Sequence, residues 1–366
     1  MKEHHNRIQS LATLQFAAVI AIVMAHFWIE DATFLQALCT SFCFVYSGYF
    51  TARTHQFNGA YGLTNHARYM RDKLAKLYPL HILALALCLL AGHCYWKADI
   101  VIYYKVILAH LLLISPWFSS PSFYFGVNPV SWFICVLFFL YLIAPVIIKV
   151  LSRLRLGWQV AIIGLLAAVE LVVGYAHDPG SASLMIPDKA HYYLYEFPVS
   201  RILDFSAGIV LCHLTRSAAW NRLTQRLTPA AATLIELGGI FLFFLFYMSG
   251  ETLLHPHWYR AFVSVAPAVL AVLAAFVFTG GRAGLVSRTL SLPPLPLLSA
   301  TVAEVYLLQF GLFYLVKTLA QAVGLPTHGT LYFIIQNGAL LLTALAIHHG
   351  FVMPLYRWLN ARKTAH

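Results

Sequence analysis

Residues 128–149 read NPVSWFICVLFFLYLIAPVIIK, and no formal charge occurs between Asn128 and Lys149. About twenty residues of α-helix rise roughly 30 Å, the thickness of a bilayer's hydrocarbon core. The stretch therefore reads as a membrane-crossing helix. Working outward, further apolar runs bounded by charged or Pro/Gly-rich breaks lie at about 11–30, 33–52, 77–96, 101–116, 159–176, 198–214, 229–248, 260–279, 298–322 and 330–356. Of the 366 residues, 60% are apolar and 10% charged, against roughly 25% charged in soluble domains. That composition excludes a water-soluble fold and points to an all-α integral membrane protein built as one bundle.

The net charge of +11 is read as a topology signal and not as a nucleic-acid surface, because cytoplasmic loops attract Lys and Arg. The run at 101–116 is short and carries Lys105 and His110, so whether it crosses decides the topology. If it lies in the outer interface and the N-terminus is inside, the inner segments hold 18 of the 24 Lys and Arg. If it crosses, eleven of those charges move outside. The expectation is about ten transmembrane helices with both termini cytoplasmic, in a multi-pass protein of the inner (plasma) membrane whose residues 1–366 form one domain. The six cysteines, at 39, 43, 88, 94, 135 and 212, contain no CxxC pair and have no histidine at zinc spacing, so no metal site is expected. No Walker loop or dinucleotide fingerprint is present.

Ionisable residues at membrane depth are expensive and are functional candidates by default. Here they are His26, His81, Glu170, Arg201, Asp204, Glu236 and Glu304. Arg201 and Asp204, three apart, share a helix face and read as an ion pair. Glu304 has a structural explanation in helix capping or in a pairing with Lys317. His26 lies in AIVMAHFWIED, with Glu30 four residues on, where a carboxylate can hold the tautomer of a general base; the structural alternative is an interfacial histidine beside Trp28. Gln15 lies eleven residues before His26, which leaves about 20° of offset and about 16 Å of rise, so both occupy one helix face. The segment HARYMRDKLAKLYP carries Arg68, Arg71, Lys73 and Lys76, either as anchors against anionic lipid or as a clamp for phosphate. The segment at about 177–197, ending in Tyr192, Tyr193, Tyr195 and Glu196, and the aromatic stretch 117–130 are candidates to roof a site opening outward.

Six pieces in order along the chain resemble the membrane acyltransferase-3 family. They are His26-Phe27 closing the first span; FCFVYSGYF with Phe42, Phe44, Ser47, Gly48 and Tyr49; KLAKLYP with Lys73, Lys76, Tyr78 and Pro79; the Trp-Phe-led span with Trp132, Phe133, Tyr141 and Pro145; FPVSRILDFSAGIVL with Pro198, Arg201, Phe205 and Gly208; and Tyr306, Leu307, Leu308 and Gln309. The sequence departs from the family pattern at Gln15, where Arg is common, at Lys73 and Lys76, where the pair is Arg-x-x-Arg, and at Gln309, where the family carries His. The carboxylate often found after the Trp-led motif is absent at Leu137 and Phe138.

The resemblance implies an envelope O-acyltransferase, with no bound cofactor, that moves a short acyl group, acetyl above all, from cytoplasmic acyl-CoA to a hydroxyl of an envelope glycan or glycolipid. It implies that His26, oriented by Glu30, acts as base. Arg68, Arg71, Lys73 and Lys76 would hold the CoA phosphates, with Gln15 along the donor path. Ser47, Tyr49, Trp132, Arg201 and Glu304 are acceptor or oxyanion candidates. The expected partners are the lipid bilayer and the envelope acceptor. A lipid-linked sugar transporter or flippase, and a non-catalytic relative, are the alternative readings.

Overall fold

The computed structural model describes residues 2–29, 32–55, 57, 62–92, 100–177, 191–253, 267–279 and 284–361. Among these the protein is helical throughout, without a strand. In chain order the helices are α1 (Lys2–Phe27), α2 (Thr33–Thr54), α3 (Leu63–Leu90), α4 (Ile100–Leu111), α5 (Pro121–Tyr124), α6 (Ser131–Ser152) and α7 (Leu156–His177). A π-helical turn over Tyr192–Glu196 leads to α8 (Arg201–Thr215), α9 (Ala218–Gln225), α10 (Pro229–Leu253), α11 (Pro267–Thr279), α12 (Leu285–Leu290) and α13 (Leu295–Ser299). Then follow α14 (Val302–Ala322), α15 (Gly329–Ile347), a second π turn over His348–Val352, and α16 (Met353–Ala361).

Eight of the described segments are long and apolar enough to cross a membrane: Gln9–Phe27, Leu63–Leu90, Ser131–Ser152, Leu156–His177, Tyr192–Thr215, Pro229–Met248, Val302–Ala322 and Gly329–Leu359. The difference from ten lies at two places. α2 carries Gln36, Thr40, Ser41, Ser47 and Thr51, which lower its hydropathy, yet Thr40, Ser41, Ser47 and Thr51 are all buried. A helix enclosed by protein needs no apolar coat all round. The run from 260 is described only from residue 267, as the 13-residue α11. α4 has 12 described residues, about 18 Å of rise.

The chain forms two compact units, Met1–Ala60 with Leu142–Ser299, and Tyr61–Tyr141 with Ala300–His366. In the first, α2 and α8 pack along their length. The backbones meet at two glycines: a Cβ on Gly48 would collide with the Phe205 carbonyl, and one on Gly208 with the Val45 carbonyl and the Tyr49 nitrogen. The Ser-Gly-Tyr and Phe-x-x-Gly pieces are thus the two sides of one crossing. Small residues let membrane helices approach this closely. Gly208→Ala is expected to destabilise the protein by about 1–3 kcal/mol through overpacking, read as a lower thermal midpoint in detergent. Gly157→Ala, whose added Cβ meets nothing within 4 Å, is expected to leave the midpoint unchanged.

Glu236 on α10 anchors the same unit. Its carboxylate accepts from Thr279 Oγ1 at 3.0 Å, from the backbone N–H of Gly284 at 3.0 Å, of Val286 at 3.1 Å and of Ser287 at 3.2 Å, and from the Ser287 hydroxyl. A carboxylate at the start of α12 satisfies N–H groups that have no helical partner. Glu236 is therefore a structural tie between α10, α11 and α12. Glu236→Leu is expected to leave those donors unsatisfied, at about 1–3 kcal/mol for each buried group, and to lower the yield of folded protein in detergent extracts.

In the second unit α14 packs against α3 and α15. A Cβ on Gly311 would meet Leu87 and Cys88 of α3 at 2.9 and 3.1 Å. Asn128 donates to the Leu307 carbonyl at 2.9 Å, and the Tyr78 hydroxyl to the Leu111 carbonyl at 2.9 Å. His81 Nε2 donates to the His110 carbonyl at 3.0 Å. Burial pushes His110, outside the spans, down to about 3, so it stays neutral.

Candidate active site

α1 runs unbroken from Lys2 to Phe27, which keeps Gln15 and His26 in one helical register. It packs against α2, α11, α12 and α13, and Thr13 Oγ1 ties it to the Leu290 carbonyl at 2.8 Å. Gln15 and His26 are both half-buried. His26 lies in the last turn of α1, and its ring stands edge-on to Phe27 at 6.0 Å. Glu30 lies outside the described residues, as do residues 178–190 of the expected outer roof.

A second polar cluster of the first unit surrounds Arg201, which is 0% exposed. Its Nη1 donates to Asp204 Oδ2 at 2.8 Å and to Ser41 Oγ at 3.3 Å, and its Nε donates to the Tyr195 carbonyl at 2.8 Å. The guanidinium also lies 4.8 Å from the Tyr195 ring and 5.5 Å from the Phe44 ring. Nη2 has no hydrogen-bond partner among the described residues. Charge, hydrogen bonds and aromatic faces together hold a cation in a dry place. Ser47 and Tyr49 flank the α2–α8 crossing. Ser47 Oγ donates to the Cys43 carbonyl at 2.8 Å, and the buried Tyr49 hydroxyl accepts from Arg53 Nη1 at 3.5 Å.

Beside Arg201 lies a pair not anticipated from spacing: His191 Nε2 is 2.7 Å from Glu196 Oε1, with Glu196 fully buried. Five residues of α-helix turn through about 500°, which would point the two side chains about 140° apart. The π turn, with Phe197 N–H bonded to the Tyr192 carbonyl at 2.9 Å, closes that angle. The Tyr195 hydroxyl is hydrogen-bonded to Thr40 Oγ1 at 2.9 Å, fixing the turn to α2.

In the second unit, Arg68, Arg71 and Lys76 are exposed along α3, Arg71 lying 3.8 Å from Asp72. Lys73 turns the other way: its Nζ lies 4.4 Å from the Tyr141 ring and 5.4 Å from the Tyr69 ring. Trp132 is buried in the first turn of α6, and Glu304, 2% exposed, is hydrogen-bonded to His348 Nδ1 at 2.8 Å. Its partner is therefore His348 and not Lys317. Among the described residues no cluster of three or more His, Cys, Asp or Glu is placed to hold a metal ion.

Apolar helices enclosing paired charges define a polytopic membrane protein with polar sites inside its bundles, as membrane enzymes and transporters have. The comparisons separate those classes. The family model described as an acyltransferase domain, acyltransferase-3, matches residues 8–349, and the chain belongs to that family. Acyltransferase MdmB of Streptomyces mycarofaciens is 26% identical over an alignment of 244 residues that covers 59% of this chain and 59% of that protein. The matched stretch therefore covers less than two thirds of the relative's length. No solved structure matches.

Proposed function

We propose that the protein is an O-acyltransferase that moves a short acyl group, acetyl, from cytoplasmic acyl-CoA to a hydroxyl of a cell-envelope glycan or glycolipid. The reading places it in the inner membrane, with ten spans, both termini cytoplasmic, and residues 1–366 acting as one domain. The observation that carries it is the family match over residues 8–349, which runs through both compact units.

In this reading Arg68, Arg71 and Lys76 attract the CoA phosphates, and Lys73 fixes α3 against Tyr141 while adding to the same positive field. Gln15 offers a neutral hydrogen-bonding group along the donor path. His26, with Glu30, takes the acceptor hydroxyl proton as the oxygen attacks the thioester carbon. The C–O bond forms, the C–S bond breaks, and sulfur leaves as the thiolate, which becomes the thiol on taking up a proton from water, while His26 gives its own proton back to water. Arg201 is the preferred oxyanion donor because its Nη2 is buried and has no hydrogen-bond partner among the described residues. Ser47 and Tyr49 position α2 beside it, and Trp132 and Glu304 remain acceptor-side candidates.

Inside-out membrane vesicles containing the full chain test the donor. With acetyl-CoA labelled in the acetyl group, label entering membrane glycans or lipids together with release of free thiol is expected. Label confined to the unchanged donor would contradict the reading.

A further inference from the structure

Within the second unit, Tyr78, two residues beyond Lys76, donates its hydroxyl to the Leu111 carbonyl at 2.9 Å, and His81 Nε2 donates to the His110 carbonyl at 3.0 Å. Further along α3, Leu85 and Cys88 share an apolar cluster with Val106 and Val127. α4 therefore runs antiparallel to α3, and its last turn lies beside the stretch of α3 that follows Lys76. The chain turns through Leu113 at φ +59°, a left-handed conformation that residues other than glycine rarely adopt. It returns past Gly126, where an added Cβ would collide with Val106 and lie 3.4 Å from His110 Nε2. His81 and His110 are each 0% exposed. His81 Nδ1 and both ring nitrogens of His110 have no hydrogen-bond partner among the described residues; the Phe123 backbone lies beside the His110 ring, short of bonding geometry. Several unpaired polar atoms in one dry place are costly, and call for a ligand, water or ion to meet them. Lys73 reaches the same interior from eight residues earlier, about 12 Å along α3, with its Nζ over the Tyr141 ring. Uncharged donors and acceptors thus follow directly on a cation, inside one compact unit.

We propose that His81 and His110 bind the uncharged, amide-bearing arm of the donor, the pantetheine of acyl-CoA, beyond the cations of α3 that hold its phosphates; this rests on the acyl-CoA reading above. A neutral imidazole offers one N–H donor and one acceptor nitrogen, the same two functions that a secondary amide presents. His110 suits an amide and not a phosphate, because burial keeps its ring neutral. An amide entering this interior gives up water and gains ring nitrogens that otherwise go unpaired. Both rings are sealed from solvent, so the arm enters by displacing the strained turn at Leu113. The two histidines bind and orient the arm, and neither exchanges a proton with it.

Equilibrium binding to the full chain in detergent tests this, with two probes: CoA, and its adenosine bisphosphate half, which carries phosphates but no arm. Wild type is expected to bind CoA more tightly than the bisphosphate. His110→Phe, which keeps a ring and removes its nitrogens, is expected to weaken CoA binding by roughly 5–150-fold, the effect of leaving one buried amide group unpaired, and to leave bisphosphate binding unchanged. Its thermal midpoint should equal or exceed that of wild type, since an unpaired imidazole adds nothing to the fold. His110→Gln, which again offers a donor and an acceptor, is expected to recover part of the CoA affinity. Wild-type CoA affinity in His110→Phe overturns the proposal. So does equal weakening of both probes, which would make the ring structural. If His110→Phe does not fold, the wild-type comparison decides, and CoA bound no more tightly than the bisphosphate overturns the arm site alone. Wild type that binds neither probe overturns the donor reading itself, and this site with it.

Discussion

His26→Ala is expected to lower acyl transfer by roughly 10²–10⁴-fold, the range set by losing a general base, while the amount of folded protein in the membrane is expected to stay at the wild-type level. The separation follows from where His26 sits. It lies in the last turn of α1 and is half-buried, and α1 is held along its length by α2, α11, α12 and α13 and by the Thr13 bond to Leu290. Truncating a half-buried ring at a helix end removes little packing, so an effect of this size has to come from chemistry. The check is a paired one, with transfer rate normalised to detergent-extracted monodisperse protein. Lost rate with lost protein would mean that the ring is structural.

Asp204→Ala has the largest expected effect on stability. It leaves the Arg201 guanidinium, 0% exposed, without its carboxylate. Breaking a buried pair from one side costs about 3–5 kcal/mol, because the remaining charge can neither reach water nor be neutralised. Thermal midpoints in detergent should fall further than for Gly208→Ala. Replacing both partners by apolar residues, Arg201→Met with Asp204→Leu, removes the charge problem and is expected to recover much of the midpoint. If Arg201 stabilises the oxyanion, the double variant stays inactive although folded, and that combination divides its structural role from its catalytic one.

The helical membrane class was legible because burial in lipid demands long uncharged runs, and residues 128–149 supply one without interruption. Arg201 with Asp204 was legible because three residues of α-helix bring two side chains to one face. What spacing cannot show is any pairing that leaves α-helical geometry or bridges distant segments. His191 and Glu196 meet only because a π turn replaces an α turn, and Glu304 meets a histidine 44 residues away. Glu236 has no partner at helical spacing either, because the N–H groups it binds are presented by α12, some 50 residues on. Lys73 and Lys76 share a helix face by spacing, but Tyr69 and Tyr141 draw Lys73 inward. α2 was legible as an apolar run at 33–52, but not where its hydroxyls go: the structure buries Thr40, Ser41, Ser47 and Thr51 in protein.

Acyl-ester content of envelope glycans, measured in cells lacking the protein and in the same cells complemented with wild type or with equally expressed His26→Ala, bears most directly on whether this chain is a histidine-dependent O-acyltransferase. Ester lost in the deletion, restored by wild type and not restored by His26→Ala is the expected result. Equal ester content in all three strains, with expression verified, would contradict it.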